Sequence, residues 1–267
     1  SQSDRNYFIT PLTSTTPEKM EQKIKLGIVT PFANERGNAE EFVTAVLSVC
    51  SHYPFDRVEM YAVLDNVCTD GTYDILQKMA LREPRLQVIW APENRCVVDA
   101  YVRGYKQALG RGNDWILEID AGFSHDPRQI PLFFSEMTKA QDCVFGVRFG
   151  HPGAKYDGGL KRRLISQGGS VLSNILLGTK LSDMTGGFEL FTSKALKYIL
   201  EKVVYSRGPF FQTEIRAHAH ALNYGHVPIR YSSPSHNVNG GALKEAFVGL
   251  WRLYREKKNR SEEMYSE

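Results

Sequence analysis

Between residues 25 and 147, short apolar runs alternate with amphipathic ones, and this alternation constrains the fold more than any other feature of the chain. The apolar runs lie at 25–31, 58–65, 86–90, 115–120 and 143–147. Each has the length of a strand and is short for a buried helix. Between them, 72–81 and 97–109 carry apolar residues at helical spacing, the latter ending at Gly110. Asn38 stands where it would cap a first helix, with Glu41 as its capping-box partner, and Asp126 before Pro127 would cap a fourth. Strands alternating with helices predict an α/β fold: a mostly parallel sheet with helices on both faces. Ligands of such sheets bind beyond the carboxyl ends of the strands, and Asp65 and Asp120 close two of these runs.

After residue 150 the alternation weakens to a loop, two or three helices and a late strand at 227–231. Residues 1–22 are polar and aperiodic and read as a flexible tail, 23–240 as the folded domain, and 241–267 as a C-terminal amphipathic helix and tail. A net charge of +3 on 267 residues gives no coat for a nucleic-acid partner. The four cysteines form no CxxC or Cys/His cluster, which argues against zinc. Their scatter, with no secretory signal, points to a reducing cytoplasm. No apolar run reaches the roughly 18–20 residues of a membrane span, so any work at a membrane is done from its surface.

Four stretches fall at the edges of this pattern: TPFANER at 30–36, LDNVCTDGT at 64–72, IDAGFSHDP at 119–127 and LLGTKLSDMTGGFELF at 176–191. GVRF at 146–149, KRRLIS at 161–166 and FFQTEI at 210–215 accompany them. In this order and spacing they resemble the family 2 glycosyltransferases, and within them the dolichol- and polyprenyl-phosphate sugar synthases. The first stretch is similar to the family's P-x-x-N-E strand end and the second to its V-D-D-x-S-x-D-G-T turn. The third is similar to its metal-binding D-x-D and the fourth to its L-L-G-x-x-x-x-D-x-T-G-G-F run. The likeness extends over about residues 24–255.

The resemblance implies a GT-A fold and inverting transfer of one sugar from a GDP- or UDP-sugar to a polyprenyl (dolichyl-type) phosphate. It further implies a divalent Mg or Mn ion, a peripheral place on the cytosolic membrane face, and a homodimer or a membrane subunit as partner. Diphosphate departure needs positive charge from a metal or from Arg and Lys. A lipid phosphate is already an anion, so no strong base is required, and positioning supplies most of the catalysis.

By the same resemblance Pro31, Glu35 and Asp65 line the nucleoside pocket and Asp120 holds the diphosphate and its metal. Asp65 also fits plain turn chemistry, and Asp70 with Gly71 reads as a helix lead-in. The chain departs from D-x-D at Gly122, which implies a weakened or altered metal site. Glu118, on the face of Asp120 in a period-two strand, and Ser124 or His125 in the loop that follows are the substitute ligands. RCVVDAY, after Asn94, replaces the relatives' glycine-rich loop and leaves the donor open. Asp183 would orient the acceptor or the sugar, with Gly186 and Gly187 forming a tight turn beside it. Arg148, Arg162 and Arg163 are the candidates for binding phosphate. Ser166, Gln212, Glu214 and His236 join them on the acceptor side, although KRR also suits a solvated face and Glu214 an ordinary ion pair. Asp120, Asp183 and Arg163 are the expected catalytic set. Phe247, Leu250, Trp251 and Tyr254 recur at helical spacing before REKKNR, which suits either a membrane interface or packing on this domain. Two alternatives stay open. One is a sugar-hydroxyl acceptor served by a base such as Asp183 or Glu214. The other is a non-catalytic nucleotide-sugar binder, for which Gly122 is the main support.

Overall fold

The computed structural model describes residues 23–202, 206–232 and 240–264. The tail at 1–22 and His236 lie outside the described residues. The strands are β1 (Lys25–Pro31), β2 (Arg57–Leu64), β3 (Leu86–Trp90), β4 (Trp115–Glu118), β5 (Cys143–Val147), β6 (Lys155–Asp157), β7 (Glu189–Thr192), β8 (Tyr224–Pro228) and β9 (Arg230–Ser232). The helices are α1 (Ala39–Cys50), α2 (Thr72–Ala80), α3 (Val97–Gly110), α4 (Ile130–Glu136), α5 (Leu160–Leu177), α6 (Ser193–Glu201), α7 (Phe210–His218) and α8 (Gly240–Met264).

Seven strands form one sheet in the order β3-β2-β1-β4-β7-β5-β8, while β6 and β9 make a separate pair. The expected α/β architecture forms, with parallel pairing of β1 to β2 and β4, of β2 to β3 and of β5 to β8. β7 breaks the pattern by running antiparallel to both β4 and β5. All but its last residue sit inside the stretch 176–191, where local alternation is weak. The strand is fixed by burial between two neighbours: Glu189, Leu190 and Phe191 are all fully buried.

The two faces of the sheet are read off β1, whose successive side chains point to opposite sides. Ile28 joins Phe42, Val46 and Phe133 in a core under α1, α2 and α4. Val29 joins Tyr105, Leu196 and Phe211 in a second core under α3, α6 and α7. Gly104 makes the close approach of α3 possible, because a Cβ there would stand 2.4 Å from Cγ1 of Val29. A third, smaller core of Leu177, Phe210, Leu250 and Leu253 ties α5, α7 and α8 together.

Two caps were expected and one forms. Asp126 accepts from the backbone N–H of Arg128 at 2.9 Å, opening the 3-10 turn that leads into α4. Asn38 makes no side-chain cap to α1, because its side chain bonds Glu35 instead. β1 is flanked by β2 on one side and β4 on the other, so a crevice opens beyond the carboxyl ends of β1 and β4. Among the described residues no helix is long and apolar enough to cross a membrane.

Candidate active site

The crevice holds a cleft of about 350 Å³ lined by Pro31, Glu35, Asp65, Arg95, Tyr101 and Asp120 among others. That volume lies in the range of small-molecule sites. The turn after β1 is stapled to the turn after β2. Asn34 Oδ1 accepts from the N–H of Thr69 at 2.8 Å, and Asp70 Oδ2 accepts from the N–H of Arg36 at 2.9 Å. Asp70 Oδ1 also accepts from Thr72, whose Oγ1 accepts from the N–H of Glu35 at 2.8 Å. Asp70 therefore fixes the loop that carries Glu35, and Gly71 supplies the φ of +89° that the lead-in to α2 requires. RCVVDAY is the N-terminal end of α3 and its approach; it lines the cleft through Arg95, Cys96, Val97, Ala100 and Tyr101. Arg95 is held by Asp99 through two side-chain bonds of 2.8 and 2.9 Å.

Asp120 lies just past the end of β4. Tyr101 donates its phenolic proton to Asp120 Oδ1. Burial, then the charges of Asp120 and Glu118, push the Tyr101 phenol far up, so it keeps its proton at neutral pH and can donate it to this bond. The backbone N–H of Asp120 donates to Nδ1 of His125 at 3.3 Å. His125 is buried and stacks on Phe188 with ring centroids 5.0 Å apart. Burial pushes its pKa down to about 4, against the opposing pull of Asp120, so the ring is neutral and acts as an acceptor. Tyr101 and His125 thus grip the side chain and the backbone of one carboxylate residue. His125 lies in the same stretch as Asp120 and is legible there as a candidate ligand, whereas Tyr101, the last residue of RCVVDAY, is brought to Asp120 only by the fold.

Beneath Asp120 lies a buried polar layer. Glu118 faces Glu189 directly across the β4–β7 ladder, and both are fully buried. Arg216 on α7 donates to Glu189 at 2.7 Å and also bonds the carbonyls of Asp183 and Gly146. Among the described residues Glu118 receives only the neutral amide of Gln212. Burial, then the charges of Glu189 and Asp120, push the Glu118 carboxyl well above its usual range, so of this pair Glu118 holds the proton.

On the other side of this layer Arg148 is clamped by Asp183, Nε to Oδ2 at 2.7 Å and Nη2 to Oδ1 at 3.0 Å. Burial raises the Asp183 carboxyl, but the Arg148 charge and bonds outweigh it and hold the group below the ordinary carboxylate range. The guanidinium also stands 5.1–5.5 Å from the ring centroids of Phe149, Tyr156 and Tyr231. Arg148, Arg162 and Ser166 line one part of a largely apolar groove of about 400 Å³ between α5, α7 and α8, whose walls include Leu172, Phe210 and Leu250.

The structure brings Pro31, Glu35, Asp65 and Asp120 to one cleft and Arg148, Arg162 and Ser166 to one groove. It does not bring Glu118 to the surface beside Asp120. The two side chains do lie on the same side of the sheet, toward α3 and α7, but Glu118 is fully buried against Gln212 while Asp120 reaches the cleft. Ser124 lines a separate cavity with Phe123 and Asp126. Gln212 of α7 bonds Glu118 in the buried layer and Glu214 accepts from Ser206, and neither lines the groove. Thr213 and Phe210 of that helix line the groove in their stead. Arg163 is exposed and is not part of the groove wall.

Comparison with known proteins places this geometry in context. A sequence profile described as glycosyl transferase family 2 matches residues 27–200. An undecaprenyl-phosphate mannosyltransferase of Micrococcus luteus is 30% identical over 195 residues, covering 71% of this chain and 80% of that protein. A polyprenol monophosphomannose synthase of Mycolicibacterium smegmatis is 27% identical over 234 residues, covering 85% of this chain and 86% of that protein. Among solved structures, glucosyl-3-phosphoglycerate synthase from Mycobacterium tuberculosis in complex with Mn2+, UDP and phosphoglyceric acid superposes with a TM-score of 0.62 at 13% identity. That match covers 86% of this chain and 78% of the other, and it is a likeness of fold.

Proposed function

The chain belongs to glycosyl transferase family 2, and from that membership we propose that it moves a sugar, with inversion, from a nucleoside-diphosphate sugar to the phosphate of a polyprenyl lipid. Mannose is the sugar that both relatives named above carry, and it is the first donor sugar to test. The observation that carries this reading is a pairing of two unlike sites. A polar cleft ends on Asp120, and an apolar groove carries Arg148, Arg162 and Ser166. Asp120 lines the cleft and Arg148 the groove, and both lie close enough to the buried ring of His125 for their charges to act on it. The cleft suits a nucleotide and its diphosphate. The groove suits an isoprenyl chain whose phosphate meets Arg162 and Ser166, with Arg148 adding positive potential from below.

Asp120 fits a hard divalent cation, which takes one or two protein carboxylates together with phosphate oxygens and waters. Such an ion would neutralise the charge that builds on the departing diphosphate. The chain's own contribution is positional: Tyr101 and His125 set the carboxylate, and the groove aims the acceptor oxygen. A sugar-hydroxyl acceptor is disfavoured because both residues expected as its base are otherwise engaged, Asp183 with Arg148 and Glu214 with Ser206.

Membrane contact is supported by α5 and α8. Leu160, Leu164, Val171 and Ile175 are exposed and fall within about 60° of one another on a helix of 3.6 residues per turn. Phe247, Val248 and Trp251 add an exposed apolar face on α8, beside the same groove. The four cysteines are free thiols, which suits a cytosolic membrane face. The reading is tested by incubating the protein with radiolabelled GDP-mannose, UDP-glucose and other nucleotide sugars, with a short polyprenyl phosphate in detergent and Mg²⁺ or Mn²⁺. Label appearing in the lipid phase, stable to base and labile to mild acid, is expected. Transfer only to soluble oligosaccharides would refute the acceptor.

A further inference from the structure

The departure from D-x-D at Gly122 has a counterpart elsewhere in the fold. Gly122 adopts φ +82°, and a Cβ built on it would stand 2.8 Å from both carboxylate oxygens of Glu35 and 3.0 Å from its Cδ. Glu35 thus fills the space from which a side chain at 122 would project. We propose that Glu35 supplies the carboxylate that position 122 lacks, so that the donor's divalent cation is held by Asp120 from the end of β4 and by Glu35 from the turn after β1. The inference rests on the donor-site reading above and reassigns Glu35 from the nucleoside to the metal.

Three observations support it. Glu35 and Asp120 line the same cleft. Glu35 is held in place: its N–H donates to Thr72 Oγ1 at 2.8 Å and its carboxylate takes the side chain of Asn38. The arginines around it are engaged elsewhere, Arg36 with Asp70 and Arg95 with Asp99. Two carboxylates are enough for Mg²⁺ or Mn²⁺ beside a diphosphate. A group of three metal-ligating side chains does not occur among the described residues, so the remaining ligands fall to the nucleotide and water.

The geometry makes Glu35 and Gly122 reciprocal, and that is the test. UDP and GDP are titrated calorimetrically into the full chain with and without Mn²⁺, and bound Mn²⁺ is counted by electron paramagnetic resonance. Circular dichroism melts check that each variant is folded. In the wild type Mn²⁺ should tighten one nucleotide. Glu35→Gln should leave metal-free nucleotide affinity unchanged and cut the Mn²⁺ gain by about 10-fold or more, the scale at which loss of a supporting group affects a metal site. Gly122→Asp alone should bring no gain, because its carboxylate collides with Glu35. Glu35→Ser with Gly122→Asp should recover Mn²⁺ binding, since Asp tolerates a positive φ better than most residues. If Glu35→Gln weakens the nucleotide equally with and without Mn²⁺, Glu35 is a nucleoside contact and the inference falls while the donor site stands. An unchanged Mn²⁺ gain in Glu35→Gln overturns it as well. If the wild type binds neither nucleotide under either condition, the donor-site reading falls and takes the inference with it.

Discussion

Replacing Asp183 with alanine isolates the ion pair at the centre of the acceptor side. Asp183 is fully buried and Arg148 is 5% exposed, so the substitution leaves a guanidinium without its counter-charge in a site closed to water. Breaking a buried pair by removing one partner costs about 3–5 kcal/mol. Two backbone donors lose their acceptor at the same time, the N–H of Arg148 at 3.1 Å and that of Thr185 at 3.0 Å, which pushes toward the upper end. The rings of Phe149, Tyr156 and Tyr231 offset part of the loss, each worth about 0.5–2 kcal/mol to a nearby cation. At about 2–4 °C per kcal/mol for a domain of this size, Asp183→Ala should lower Tm by about 6–20 °C. The Arg148→Met/Asp183→Leu double variant should regain most of that, because a buried pair and an apolar pair of similar volume are close in stability. The sign of the pH dependence also follows. The folded pKa of Asp183 is depressed, so its contribution is complete above the unfolded value of about 3.9 and is lost only as pH falls through the lower folded value. The gap between wild type and Asp183→Ala should therefore be flat from about pH 5 to 8. Thermal unfolding by circular dichroism at several pH values reads all of this. An Asp183→Ala variant melting within about 2 °C of wild type would refute the reasoning, since it would mean the pair contributes under about 1 kcal/mol.

Two further predictions follow from the same contacts. His125 is neutral in the fold with a pKa near 4, so between that value and its unfolded value of about 6.5 the unfolded chain binds the extra proton and stability drops as pH falls. The raised carboxyls of Glu118 and Glu189 act with the opposite sign, so the check is the difference in denaturation free energy between wild type and His125→Gln. It should shrink by about 3 kcal/mol from pH 7 to pH 4, and a pH-independent difference would count against a buried neutral ring. Ile175→Glu and Trp251→Glu should each weaken binding to anionic liposomes by about 10-fold or more, as expected from about 1.5–3 kcal/mol per large apolar side chain buried. Their melting temperatures should stay unchanged, and undiminished cosedimentation would exclude this face as the membrane contact.

The sequence by itself determined the sheet's first half, because each strand from β1 to β5 is a local apolar run whose length and flanking turns announce it. The clustering of Pro31, Glu35, Asp65 and Asp120 was legible for the same reason: each lies at or just beyond a strand end, and ends of parallel strands converge on one edge. What the tertiary structure decided were the partnerships across long separations. β7 is a strand only because β4 and β5 close on it from both sides. Arg148 and Asp183, 35 positions apart, each read as a polar residue seeking a ligand, and only the fold shows that they take each other. Glu118 and Asp120 are two positions apart on one face, yet α7 covers the first and leaves the second open to the cleft. Gly122 read as a missing ligand; against Glu35 it is the space that another residue's carboxylate requires. The physical reason is common to all four. Local pattern records what a residue does to its own backbone, whereas the charge and volume of a buried side chain are settled by whichever element packs against it.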